Sequence, residues 1–259
     1  MSDPLADLAR FEGVASAAAA ATDAVDTVLR DRGLRHVTGE QLSQALVLGA
    51  RANAALTNDP QRWQIGALRL SAELGPLAAL IRVAPAQALA RAHALVARGV
   101  VPDSELGKIT AQRESWWPDS AQPRMAQPEM PGPEMSGPEM SGPEVATRMN
   151  SLGELLTRHT SASAIVVGAV AHAEIAVVAP FGDASGLIAR AAEHLVLIAA
   201  DIDPYGVIVV EAGHAENGAS YLPALAAYAD GSVAGVRGWL LQCAAAVARG
   251  AQLSPIGNR

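Results

Sequence analysis

Two long apolar runs, 161–178 and 185–200, are separated by one short break at Ala179-Pro180-Phe181-Gly182-Asp183-Ala184, and both runs need a partner to bury them. The first is apolar from Ile165 to Phe181 apart from His172 and Glu174, which reads as a buried helix of a soluble protein rather than a membrane span. Gly168, Ala171 and Ala176 form a small-residue face that lets a neighbouring helix come close, and Pro180 ends the helix. The second run places Leu187, Ile188, Ala191, Leu195 and Ile198 on one stripe, with Arg190 and Glu193 off it.

Composition extends this pattern to the whole chain. Half of the 259 residues are apolar, yet only 3% are aromatic and alanine is abundant, so the core must be filled by close helix contacts. The expected class is all-α. Residues 1–117 read as a helical region with breaks at Gly33, Asn58-Asp59-Pro60, Gly75-Pro76 and Ala84-Pro85. Thr38 with Gln41 predicts a capped helix carrying Leu42, Leu46 and Ala50, and Leu89, His93, Val96 and Val100 form another stripe. Trp116-Trp117 reads as an aromatic plug at the end of this region, or as a ligand-stacking platform. Residues 118–147, with repeats PEMPG, PEMSG and PEMSG, lack the apolar content for a core and read as a linker, with a proline-rich docking peptide as the alternative. Residues 148–259 form the second helical region, opening on a capping box at Ser151 and Glu154.

The break at 179–184 reads as a phosphate-binding loop that runs into a helix. Backbone N–H groups at Ala184, Ser185 and Gly186 can hold an anion at the helix N-terminus, Arg190 can reach a second phosphate, and Asp183 can offer a carboxylate oxygen to magnesium. Each residue also has a structural use: Asp183 as an N-cap, Gly186 for tight packing, Arg190 paired with Glu193 or turned to solvent.

In register, Pro180, Phe181, Asp183, Gly186 and Arg190 resemble the HPFxDGNGRxxR signature of the Fic/Doc (Fido) family. The resemblance covers roughly residues 150–200. It implies an all-α Fic-like core, with Pro180 and Phe181 anchoring the loop, Asp183 binding magnesium and Arg190 stabilising the site of ATP or another nucleotide. The same resemblance marks the departures. The catalytic histidine position holds Ala179, the phosphate-facing arginine position holds Leu187, and a glycine and an asparagine are replaced by Ala184 and Ser185. A general base usually contributes about 10²- to 10⁴-fold, so ordinary AMP transfer is not expected. Two further expectations stand beside a degenerate nucleotide-binding protein: a helical scaffold for an unknown protein partner, and an enzyme in which His172 or His214 has taken over catalysis.

Outside the loop, Glu211 and His214 can share a helical turn as two metal ligands, with a solvated or capping cluster as the simpler reading. His172 reads as a core histidine with one hydrogen-bond partner, and as the substitute catalytic base if proton transfer persists. His194 stands one turn beyond Arg190, placed to orient it or to face solvent. A net charge of −7 argues against nucleic acid as the main partner. A single cysteine, Cys243, excludes an intrachain disulfide, and the acidic start with Asp3 and Asp7 does not resemble a signal peptide, so a cytoplasmic location is expected.

Overall fold

The computed structural model describes residues 3–31, 38–110 and 140–256, and within them regular structure is helical. The helices are α1 (Pro4–Ala9), α2 (Val14–Asp31), α3 (Gly39–Ala55), α4 (Pro60–Ala72), α5 (Leu74–Ile81), α6 (Pro85–Ala97), α7 (Gly142–Thr157), α8 (Ala164–Val178), α9 (Ser185–Ala199), α10 (Val210–Glu216), α11 (Gly218–Ala229) and α12 (Val233–Leu253). No helix among the described residues is long and apolar enough to cross a membrane.

Local chemistry accounts for half of the helix starts. Asp3, Asp59, Ser163 and Ser232 each accept a hydrogen bond from a first-turn backbone N–H, and Pro4 and Pro60 supply the fixed φ suited to the first helical position. Thr38 and Gln41 form the expected capping box at α3. The start of α7 differs from expectation. Ser141 and Glu144 form its box, so the helix begins inside the stretch read as linker and Ser151 lies in the helix interior. Ser-Gly-Pro-Glu at the end of the third repeat supplies the serine, an N-terminal proline and a glutamate at the right spacing, and it outcompetes a start further on. Gly75-Pro76 likewise falls in the first turn of α5, and the chain turns at Glu73 instead. Trp116-Trp117 and the repeats up to residue 139 lie outside the described residues.

The hairpin of α8 and α9 is the centre of the molecule. All of α8 except Ala164 and Glu174 is buried, and α9 is buried from Ser185 through Leu197. A helix apolar on every side must be covered on every side. Accordingly α7, α11, α12, α1 and α2 surround α8, while α3, α4, α5, α6 and α10 pack on α9. The two halves of the chain thus share one core, and the hairpin loop lies against the N-terminal half.

Candidate functional site

The loop between α8 and α9 is tied down at each point. Ala179 ends α8 in the left-handed region at φ 50°, its N–H donating to Ile175 O at 3.0 Å. Pro180 O accepts from Thr110 N at 2.8 Å. Phe181 packs its ring 4.8 Å from that of His93 and donates its N–H to Ser185 Oγ at 2.9 Å. A single 3-10 turn over Gly182–Ala184 leads into α9, so Ala184, not Asp183, is the N-cap residue, and it makes no side-chain capping bond. Asp183 remains about one-third exposed at 32%, 3.8 Å from the Arg62 guanidinium.

The residues beyond the loop turn inward. Ser185, Gly186, Leu187 and Arg190 are all buried. Leu187 has no exposed surface, and its backbone oxygen accepts from Asn53 Nδ2 at 3.2 Å. Arg190 is also fully enclosed. Its Nε donates to Asn53 Oδ1 at 2.6 Å, Nη2 to Asn53 O at 3.1 Å and Nη1 to Tyr221 Oη at 3.2 Å, with the guanidinium 5.8 Å from the Tyr221 ring centre. The expected pairing of Arg190 with Glu193 or with solvent is replaced by this clamp on α3 and α11. A fork of fixed donors suits two partners at different angles.

Glu193 belongs to another centre. Its Oε2 accepts from His172 Nδ1 at 2.6 Å and from His214 Nε2 at 2.7 Å, with all three side chains fully buried. His172 has two partners, not one: its Nε2 lies 2.8 Å from Tyr221 Oη. Burial pushes the His172 pKa down to about 4 against the pull of Glu193. The neutral tautomer that fits carries its proton on Nδ1, donating to Glu193, and accepts the Tyr221 hydroxyl proton at Nε2. Tyr221 oxygen is then free to accept from Arg190, so every bond in the chain has a donor and an acceptor. Burial opposes the ionised form of Glu193, but His214 and His172 outweigh it and hold its carboxyl at about 2.

A second buried centre lies one turn along α9. His194 does not face solvent, and its hydrogen bonds go to partners other than Arg190. Its Nδ1 lies 3.2 Å from Glu211 Oε1 and its Nε2 3.0 Å from Asp203 Oδ2. Burial alone would keep it neutral, yet the two carboxylates raise its pKa to about 10, making it a buried imidazolium. Asp203 also accepts from Val207 N at 3.0 Å and Ile208 N at 2.9 Å, fixing the turn before α10. Glu211 and His214, read as a pair of metal ligands or as a solvated or capping cluster, are both buried on separate partners. The short α10 packs on α12 and α3, which leaves Glu216 exposed while Glu211 and His214 are covered.

Asn53, Asp203 and Tyr221 were not singled out by sequence, Cys243 was noted only as the lone cysteine, and the four come from elements far apart in the chain. The chemistry implied for a nucleotide with magnesium can therefore be compared with the residues present. Asp183 is accessible enough to meet a metal-bound water, whereas Arg190 has each of its three nitrogens on a protein acceptor and Leu187 is packed in the core. The donor set does not fit a phosphate at Arg190. Two clefts, one of about 360 Å³ bounded by Leu5, Arg148, Leu152, Glu174 and Tyr228 and a smaller one beside Asp3 and His159, have walls that include no loop residue.

No protein-family model matches the chain, and no curated protein matches it in sequence. Among solved structures it is similar to the crystal structure of a Fic family protein from Desulfovibrio desulfuricans G20, with a TM-score of 0.61 and 16% sequence identity over 90% of this chain and 73% of that one. The chain therefore has an all-α, Fic-like fold.

Proposed function

We propose that this Fic-like fold serves as a helical protein-interaction scaffold without ordinary AMP transfer, its motif loop having become a joint between two core helices. The observation that carries this reading is the enclosure of Arg190, each of whose three guanidinium nitrogens donates to Asn53 or Tyr221. A phosphate would have to break charge-assisted bonds that already stabilise the fold, each worth about 1.5–3 kcal/mol. Leu187 in the arginine position and Ala179 in the histidine position add no charge or base to offset that loss. His172 gives little support to a substitute catalytic base, because both ring nitrogens have partners and the ring is fully enclosed.

Calorimetric titration with ATP and with AMP, each with magnesium, tests this reading. Absence of binding up to millimolar nucleotide supports it. Saturable binding that weakens in a folded Arg190→Ala variant overturns it.

One observation favours a second reading. Asp183 stands partly exposed at the loop mouth beside Arg62, itself 46% exposed, so a magnesium–phosphate ligand could meet the two side chains without entering the core. In that case nucleotide affinity would be weak, would fall in Arg62→Ala or Asp183→Ala, and would be indifferent to Arg190.

A further inference from the structure

The most unusual buried chemistry lies beneath the loop. His172 from α8, Glu193 from α9, His214 from α10 and Cys243 from α12 each offer one ligand-capable atom, and these atoms all lie within 4.8 Å of one another. All four residues are buried. We propose that these residues form a site for one divalent transition-metal ion of the zinc class, holding four helices together.

Three observations point the same way. The first is the donor set. Two imidazoles, one carboxylate and one thiol match the nitrogen, oxygen and sulfur ligands of zinc, not the all-oxygen octahedron that magnesium prefers. Two anionic ligands, a carboxylate and a thiolate, would neutralise a divalent ion inside the core.

The second is unmet bonding capacity. Glu193 Oε1 and His214 Nδ1 are both buried without a hydrogen-bond partner. A core network that existed only for packing would be expected to satisfy such atoms, because leaving them bare is costly. Coordination by both carboxylate oxygens would use the free Glu193 Oε1.

The third is the surroundings. Gly213, beside His214, brings α10 so close to α12 that an added Cβ would stand 1.9 Å from Ala246 O, and Gly168 lets α8 approach Glu193 with a corresponding distance of 3.2 Å. In a chain with four tryptophans and three tyrosines, Trp239 and Tyr221 stand against this cluster, their rings 4.9 Å and 5.6 Å from that of His172. Tyr221 bonds to His172 and is itself held by Arg190, an outer support of the kind that orients metal-ligating histidines.

Zinc–ligand distances of about 2.0–2.3 Å require ligand atoms about 3.3–3.8 Å apart in a tetrahedron. Metal entry therefore opens the short contacts of His172 and His214 with Glu193 and draws the longer spans inward. The Cys243 thiol proton is released to solvent, and the histidines bind as neutral rings, the proton of each moving from the nitrogen that faces Glu193 to the other ring nitrogen, so that His172 Nε2 then donates to Tyr221 Oη instead of accepting from it. With four protein ligands and no exposed ligand, the ion is structural and enters as the chain folds.

The site stands independently of the reading of the loop. It is tested by measuring the metal content of the purified protein, then unfolding it in chelator and refolding it with zinc, with cobalt(II), or with neither. The expected result is about one equivalent of zinc per chain, a higher Tm after refolding with metal, and a cobalt–thiolate charge-transfer band that disappears in Cys243→Ser. His214→Gln provides a second variant and should lower zinc affinity at least about tenfold. Refolding to the same Tm without metal, together with no bound zinc or cobalt, overturns the proposal. So does an equivalent of zinc retained unchanged by both folded variants, which would place the ion elsewhere.

Discussion

Arg190 holds Asn53 by both side chain and backbone, donating Nε to Oδ1 at 2.6 Å and Nη2 to the main-chain oxygen at 3.1 Å across 137 positions of sequence. Asn53 in turn donates to Leu187 O at 3.2 Å, so α3 is locked to the first turn of α9. Arg190→Ala would leave these buried acceptors and the Tyr221 hydroxyl short of a donor and should destabilise the fold by about 3 kcal/mol or more, read as a lower urea midpoint. Arg190→Lys should recover little, since one ammonium cannot reproduce the fork.

Introducing the two missing residues of the Fic signature should harm the protein before it helps it. Leu187 has no exposed surface, so Leu187→Arg would bury an unpaired charge at a cost of about 3 kcal/mol or more. The double variant Ala179→His, Leu187→Arg is expected to melt at lower temperature than the wild type and to transfer no label from ATP to itself. Labelled protein from a folded double variant would show that the rest of a nucleotidyl-transfer site persists.

Ala179 is one of two described non-glycine residues with positive φ, at 50°. The left-handed region costs an ordinary residue roughly 1 kcal/mol, whereas glycine adopts it freely but loses more chain entropy on folding. Ala179→Gly should therefore be neutral or stabilising by up to about 1 kcal/mol, in chemical denaturation. A clear destabilisation would mean that its methyl, 4% exposed, contributes more packing than its backbone costs.

The sequence made the hairpin legible because its signals are local. An apolar run, Pro180 and a second stripe mark α8 and α9 to within a few residues. The cap at Thr38 and the break at Asn58-Asp59-Pro60 were similarly visible, as was the all-α class. The environment of the polar residues was not. Arg190, Glu193 and His194 lie off the apolar stripe of α9, the ordinary mark of a solvent face, but α3, α10 and α11 cover that side and bring Asn53, Glu211, His214 and Tyr221 to meet them. Periodicity distinguishes the two faces of a helix; it does not reveal how many neighbours the helix has.

Gly213 offers a sharp test of the contact between α10 and α12. An added methyl would meet Ala246 O at 1.9 Å and Gly250 N at 3.0 Å, both backbone atoms that cannot swing away. Gly213→Ala should destabilise by roughly 1–3 kcal/mol despite alanine's better helix propensity. Gly218→Ala, in the first turn of α11 with nothing within 4 Å, is the matched control and should be neutral or mildly stabilising. Equal effects at both sites in thermal melts would contradict this close helix contact.

Asp3 should make the N-terminal attachment sensitive to acid. Its carboxylate caps α1 through Ala6 N at 3.2 Å and accepts from Ser161 N at 2.9 Å and Thr160 Oγ1 at 2.9 Å, tying α1 to the connection between α7 and α8. The backbone bond from Ser161 is the largest influence lowering its pKa from 3.8 to about 2; desolvation opposes it as the next largest, and the Thr160 hydroxyl and Ala6 N–H add to the lowering. Because the folded pKa is depressed, the associated stability is fully present above the unfolded value and is lost as pH falls through the folded one. The stability gap between wild type and Asp3→Asn should thus be constant above about pH 5 and narrow steadily towards about pH 2. Comparing the two proteins cancels the titration of the other carboxylates, so urea midpoints across this range isolate Asp3. A gap that stays constant down to the acid limit would show that the capping geometry, not the charge of Asp3, holds α1 in place.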